Sequence, residues 1–95
     1  MKLVVTIVGK DQVGIIAMIS NILAKNNVNI LSVNQNIMDG YFNMVMMAQV
    51  VDGSKIKLGE LQQMLKDKGA EMNLDIKIQN QEIFNVMHNI WFLEA

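Results

Sequence analysis

The sequence predicts an α+β fold: a ferredoxin-like βαββαβ sandwich, with a four-stranded antiparallel sheet and two helices on one face, plus a C-terminal helix. Three observations predict it. Extended and helical hydrophobic periods follow one another as strand, helix, strand, strand, helix, strand. An Asp39-Gly40 pair separates two extended runs and reads as a two-residue hairpin turn. The first and third extended runs are apolar on both sides and the second and fourth are not, which is the split between central and edge strands that this topology requires.

The elements follow in chain order. Leu3 to Val8 is dense in β-branched residues and reads as a central strand ending at Gly9. Val13 to Asn26 has a helical period, with Ile15, Ile16, Ile19, Ile22 and Leu23 on one face. Asp11 stands as its N-cap and Asn26-Asn27 as its close. Val28 to Met38 is extended but polar, with imperfect alternation, as suits a sheet edge. Tyr41 to Val51 has apolar residues on both parities and reads as the second central strand. After Asp52-Gly53-Ser54, a helix runs from about Lys57 to Lys68 or a little beyond, with Leu58, Leu61, Met64 and Leu65 as its buried stripe. Leu74, Ile76 and Ile78 alternate with Asp75, Lys77 and Gln79, a half-exposed edge strand. Asn80 is placed to cap a last helix carrying Ile83, Phe84, Met87, Ile90 and Trp91 at helical spacing. Two helices cover one sheet face. The other face needs this C-terminal segment, a second subunit, or both.

Composition excludes several functions. The chain has 95 residues, the size of one domain, and a net charge of −1. Its basic residues are all lysine, so no guanidinium fork is present for phosphate and no basic face for nucleic acid. There is no cysteine, and His88 is the single histidine, so no thiolate nucleophile or multi-histidine metal site exists and no cofactor is expected. Ser-His-Asp and Cys-His sets are absent as well. No apolar run approaches the ~18 residues of a membrane span, and the N-terminus lacks a signal-peptide layout, so a soluble, cytoplasmic protein is expected. The apolar fraction of 52% is high for so short a chain, which suggests surface covered by a partner.

The candidate site is the corner Val8-Gly9-Lys10-Asp11-Gln12-Val13-Gly14-Ile15-Ile16. A helix start offers unpaired N–H groups and partial positive charge, a receptor for a carboxylate. Gly9 and Gly14 permit close approach, and Asp11 stands ready for an ammonium group. Together they suit a zwitterion such as an amino acid. The same residues also serve a purely structural corner, with Asp11 as cap and the glycines as turn.

Gly-Lys-Asp-Gln-Val-Gly-Ile-Ile after a strand, then a helix, Asn27-Val28-Asn29-Ile30 and an Asp39-Gly40 hairpin together resemble the ACT domain, a small-molecule-sensing module. With Ile83-Phe84, Met87-His88-Asn89-Ile90 in the tail, the chain is most similar to small stand-alone bacterial ACT proteins carrying an extra helix. The resemblance implies an ACT-like domain over residues 1–80 and a helical extension over 81–95. It implies side-by-side pairing through the first helix and second strand, with amino acids bound between subunits. By the same resemblance, Asp11 and Asn29 match polar ligand contacts of the serine-binding phosphoglycerate dehydrogenase type. The backbone at Val13, Gly14 and Ile15 matches its carboxylate-binding helix start. Gly9 stands where that type has a histidine, and Val13 replaces the usual proline, leaving one more N–H.

Acylphosphatase has the same topology but works through an arginine in this turn, so that activity is closed to this chain. Two readings remain. One is a non-catalytic homodimeric regulatory module that binds a small metabolite and signals to a partner protein. The other is a ligand-free interaction module. Methionines such as Met44, Met46 and Met47 serve a core or an adaptable pocket, and Asn34, Gln35 and Asn36 a solvated edge or a ligand contact.

Overall fold

The protein is described by a computed structural model over residues 1–82. Its elements are β1 (Lys2–Lys10), α1 (Ile15–Lys25), β2 (Val28–Met38), β3 (Tyr41–Val50), α2 (Leu58–Glu71) and β4 (Leu74–Asn80). The expected helix from Ile83 to Trp91, with His88, lies outside the described residues. All four strands pair antiparallel in the order β2-β3-β1-β4. β1 and β3 are therefore central and β2 and β4 are edges.

Register sorts the side chains, because residues directly opposite in an antiparallel pair share a face. Leu3, Val5 and Ile7 of β1 oppose Ala48, Met46 and Met44 of β3. On the other flank Val5 and Ile7 oppose Ile78 and Ile76. All are buried, together with Ile15, Ile19 and Leu23 of α1 and Leu61 and Leu65 of α2. The helices repeat at four-residue spacing, so each lays one stripe on this face of the sheet. Each fully buried Leu, Ile or Met contributes roughly 1.5–3 kcal/mol of transfer free energy.

The irregular alternation in β2 has a specific cause. Ile30 pairs with Ala48 and Ser32 with Met47, so Leu31 is the extra residue of a β-bulge. The bulge switches parity. Val28 and Ile30 face the helices before it, and Val33, Gln35 and Ile37 do so after it, opposite Met46, Met44 and Phe42. Asn29, Ser32, Asn34 and Asn36 thereby collect on the open face. The hairpin that follows has positive φ at both turn residues, Asp39 (53°) and Gly40 (79°), as a type I′ turn requires.

Two glycines are fixed by packing. A Cβ on Gly9 would lie 2.5 Å from Leu74 Cδ2 and 3.0 Å from the Asn73 carbonyl oxygen. β1 accordingly runs through Gly9 to Lys10, and the missing side chain is what lets Leu74 pack there. Gly69, inside α2 and not at its end, meets the Leu74 carbonyl oxygen at 2.8 Å in the same test.

Gly9→Ala should cost about 1–3 kcal/mol, the usual penalty of overpacking. Gly59→Ala, with open space around it in α2, should be neutral or stabilising by up to about 1 kcal/mol. Urea unfolding of the two variants measures the contrast.

Candidate functional site

The corner between β1 and α1 is built by backbone geometry and two ties to distant segments. Gly14 has φ of 94° and is the N-cap of α1. A side chain at this φ would be strained, so glycine is needed for the conformation. Its carbonyl accepts the N–H of Met18 at 3.0 Å, the first helical bond. The N–H groups of Ile15, Ile16 and Ala17 therefore precede the intrahelical ladder. No side chain caps them, and the first turn holds no acid to offset their partial charge.

Asp11 does not take the expected place of N-cap. Its own N–H donates to the Gly40 carbonyl oxygen at 2.8 Å, which binds the corner to the tip of the β2–β3 hairpin. The left-handed Gly14 stands between Asp11 and the helix and takes the N-cap position itself, and no side chain makes a cap bond there. Asp11 is exposed and makes no hydrogen bond or ion pair with its side chain among the described residues.

Gln12 supplies the second tie. Its Nε2 donates to the Lys10 carbonyl oxygen at 3.1 Å and to that of Met72, at the end of α2, at 2.8 Å. Sequence pattern gave no sign of this contact, since Met72 is sixty positions away. Val13 projects from the corner with 99% of its surface exposed, whereas Ile15 is buried in the core. Asp11, Val13 and Gly14 thus form one continuous exposed turn that runs directly into the buried Ile15.

Asn29 lies elsewhere in the protomer. It opposes Gln49, which in turn opposes Lys2 at the start of β1, whereas the corner follows Lys10 at its end. At about 3.4 Å per residue the two are separated by roughly 27 Å along the strand. Asn29 and Gln49 border a shallow recess of about 190 Å³ with Val50, Val51 and Asp52. The fold brings four of the five expected residues together and leaves Asn29 apart.

The two sheet edges differ in chemistry. β4 carries Asp75 and Lys77 and ends after seven residues. β2 runs for eleven residues without a charge or a proline. Val33 (47% exposed) and Ile37 (52%) face the helix side with nothing outside them among the described residues, and Ile16 on α1 is 44% exposed. A long, uncharged edge with exposed apolar residues lacks the usual protection against strand pairing.

Among the described residues no group of three His, Cys, Asp or Glu is arranged to hold a metal, and no polar side chain is buried. No described helix is long and apolar enough to cross a membrane.

A family model described as "ACT domain" matches residues 1–79. A UPF0237 protein of Clostridium perfringens is 47% identical over 90 residues, covering 95% of this chain and 100% of that one. The solved structure of an ACT domain protein from Streptococcus pneumoniae superposes with a TM-score of 0.76 at 33% identity, covering 88% of this chain and 93% of that one. A formyltetrahydrofolate deformylase from Burkholderia mallei has a TM-score of 0.74 at 12% identity over 83% of this chain and 28% of its own, a likeness of fold alone.

Asp11→Ala should change stability by no more than about 0.5 kcal/mol, as expected for an exposed residue that caps nothing. Gln12→Ala should cost about 0.5–1.5 kcal/mol through its lost hydrogen bonds. It should also speed amide exchange in the corner. Thermal unfolding and hydrogen exchange read the two effects.

Proposed function

The chain belongs to the ACT domain family, and from that premise we propose that it is a non-catalytic regulatory module that binds a small metabolite, an amino acid, between two copies of itself. The observation that carries this reading is the uncapped start of α1 beside the exposed Asp11 carboxylate. A ligand carboxylate is received by the first-turn N–H groups around Gly14 and Ile15. Its ammonium group is received by Asp11. One helix start and one exposed acid are a weak receptor, so the site needs further contacts.

The β2 edge supports where those contacts come from. In a two-fold dimer paired antiparallel through β2, the start of one strand lies alongside the second half of the other. Asn29 of the partner subunit is then carried toward the end of the protomer that holds the corner. Pairing also covers Val33 and Ile37, both about half-exposed. Occupancy favours one interface geometry over another, and that difference is what a regulated partner protein reads. A ligand of this size contributes enough for micromolar to millimolar affinity.

Thermal melts against a panel of amino acids test the ligand. Saturation at about 100 times Kd should raise stability by about 2.7 kcal/mol. Asp11→Ala should weaken any hit about tenfold, the loss of one charge-assisted contact, and Asn29→Ala should also weaken it. If no amino acid shifts the melt, the ligand-free interaction module is favoured. Sedimentation tests the dimer separately: Val33→Lys should yield folded monomers, and a native chain that already sediments as a monomer rejects the paired edge.

A further inference from the structure

Backbone hydrogen bonds fix which groups of each strand point out of the sheet. The Val50 N–H donates to the Met1 carbonyl oxygen at 3.0 Å, and the Val51 N–H to that of Asn27 at 2.8 Å. Successive residues of a strand aim their backbone groups to opposite sides. Tyr41, Asn43, Val45 and Met47 therefore bond toward β2, and their partners Met38, Asn36, Asn34 and Ser32 are committed to β3. The backbone groups of Val33, Gln35 and Ile37 point outward, and among the described residues no side chain bonds to them. The same alternation turns Leu74, Ile76 and Ile78 outward on β4, but there α2 closes part of the row. Gln62 Nε2 donates to the Ile78 carbonyl oxygen at 2.9 Å, and Gly69 packs against that of Leu74.

The outward row of β2 is bounded at both ends. On one side Ile30 and Leu31 share the position opposite Ala48, and this bulge breaks the alternation. On the other side the chain turns at Asp39-Gly40. The regular stretch is Ser32–Met38, and its midpoint is Gln35. Two antiparallel copies of one edge can pair only outward residue with outward residue. Centred on Gln35, the ladder sets Val33 against the partner's Ile37 and Gln35 against the partner's Gln35. On the open face Asn34 then meets the partner's Asn36. Apolar side chains thus oppose apolar ones and amides oppose amides. Centring on Asn34 sets Val33 against the partner's Gln35 and runs Ile37 onto the partner's Leu31, in the bulge. Centring on Asn36 sets Gln35 against the partner's Ile37 and carries Val33 to the partner's Asp39, in the turn. Either slip leaves ladder bonds unmade.

Resting on the β2-paired dimer of the proposed function, we infer that its two-fold axis passes beside Gln35 and that the bulge at Leu31 is the stop that sets this register. Gln35 specifies the register, because any slip places its amide against an apolar side chain. The same register completes the corner. The partner strand continues past Met38, so that the partner's Leu31 comes level with the Asp39-Gly40 turn and the partner's Asn29 lies beyond it. Gly40 is bonded to Asp11, so the polar start of the partner strand arrives at the end of the protomer that holds the corner.

The native chain has no cysteine, so single substitutions locate the axis. At a directly opposed position the Cα atoms lie about 5.5 Å apart, inside the roughly 4.4–6.8 Å that a disulfide spans. Gln35→Cys should therefore oxidise to a disulfide-linked dimer several-fold faster than Glu60→Cys, an exposed position on α2. Val33→Cys alone and Ile37→Cys alone should oxidise no faster than Glu60→Cys, because like positions then lie about 14 Å apart. A mixture of those two chains should bridge. Non-reducing electrophoresis reads each case. Faster bridging of Asn34→Cys or Asn36→Cys than of Gln35→Cys overturns the register while the dimer stands. So does a native chain that sediments as a dimer with no bridge at Gln35→Cys. A native monomer overturns the dimer and the register together.

Discussion

Two helices can bury one face of a four-stranded sheet, and that limit shapes everything else in the molecule. The interdigitated layer formed by Leu3, Val5, Ile7, Met44 and Met46 with α1 and α2 is the main source of stability. Once it is built, the chain still has an open face and two edges. The open face retains Val4, Val8, Val45 and Met47 in its centre, and the edges retain their unpaired backbone groups. β4 meets its exposure with charge and short length. β2 has neither. The surface left after folding is therefore asymmetric, with one edge suited to water and one suited to another strand.

Much of this was legible in the sequence because the signals were local or periodic. Asp39-Gly40 fixed the hairpin, the apolar parities separated centre from edge, and Leu74-Asp75-Ile76-Lys77-Ile78 could only be a half-covered strand. The β2 pattern was visible as a defect in alternation. The bulge at Leu31 turns that defect into order, because one added residue moves every later side chain to the other face. Reading a single register through it mixed the two faces. What was not legible depended on contacts between distant segments. Gly9 read as part of a turn, but its missing Cβ answers to Leu74, on another strand.

The candidate site divides in the same way. Gly14 as the hinge into α1 follows from local chemistry, since a left-handed residue there needs glycine. The place of Asp11 did not follow. An acid just before a helix is a standard cap signal, but Gly14 takes the N-cap position itself and no side chain makes a cap bond there. The acid is therefore exposed, and the first-turn amides have no side-chain partner. Gln12 was passed over because a polar turn residue carries no pattern, yet it joins the corner to the end of α2.

These ties bear on how occupancy would be transmitted. The corner is held to the hairpin tip through Asp11 N–H and to the end of α2 through Gln12, so it has few ways to rearrange locally. A ligand seated there gains little by ordering the turn, which is already ordered in the single protomer. A ligand shifts an equilibrium only as far as it binds one state better than another. With the corner fixed, the states that differ in the proposed dimer are arrangements of one protomer against its neighbour. Asn29, roughly 27 Å from the corner within its own chain, fits the same logic. A residue that cannot reach the site in its own protomer can contribute only across an interface, where its contact depends on how the two subunits meet.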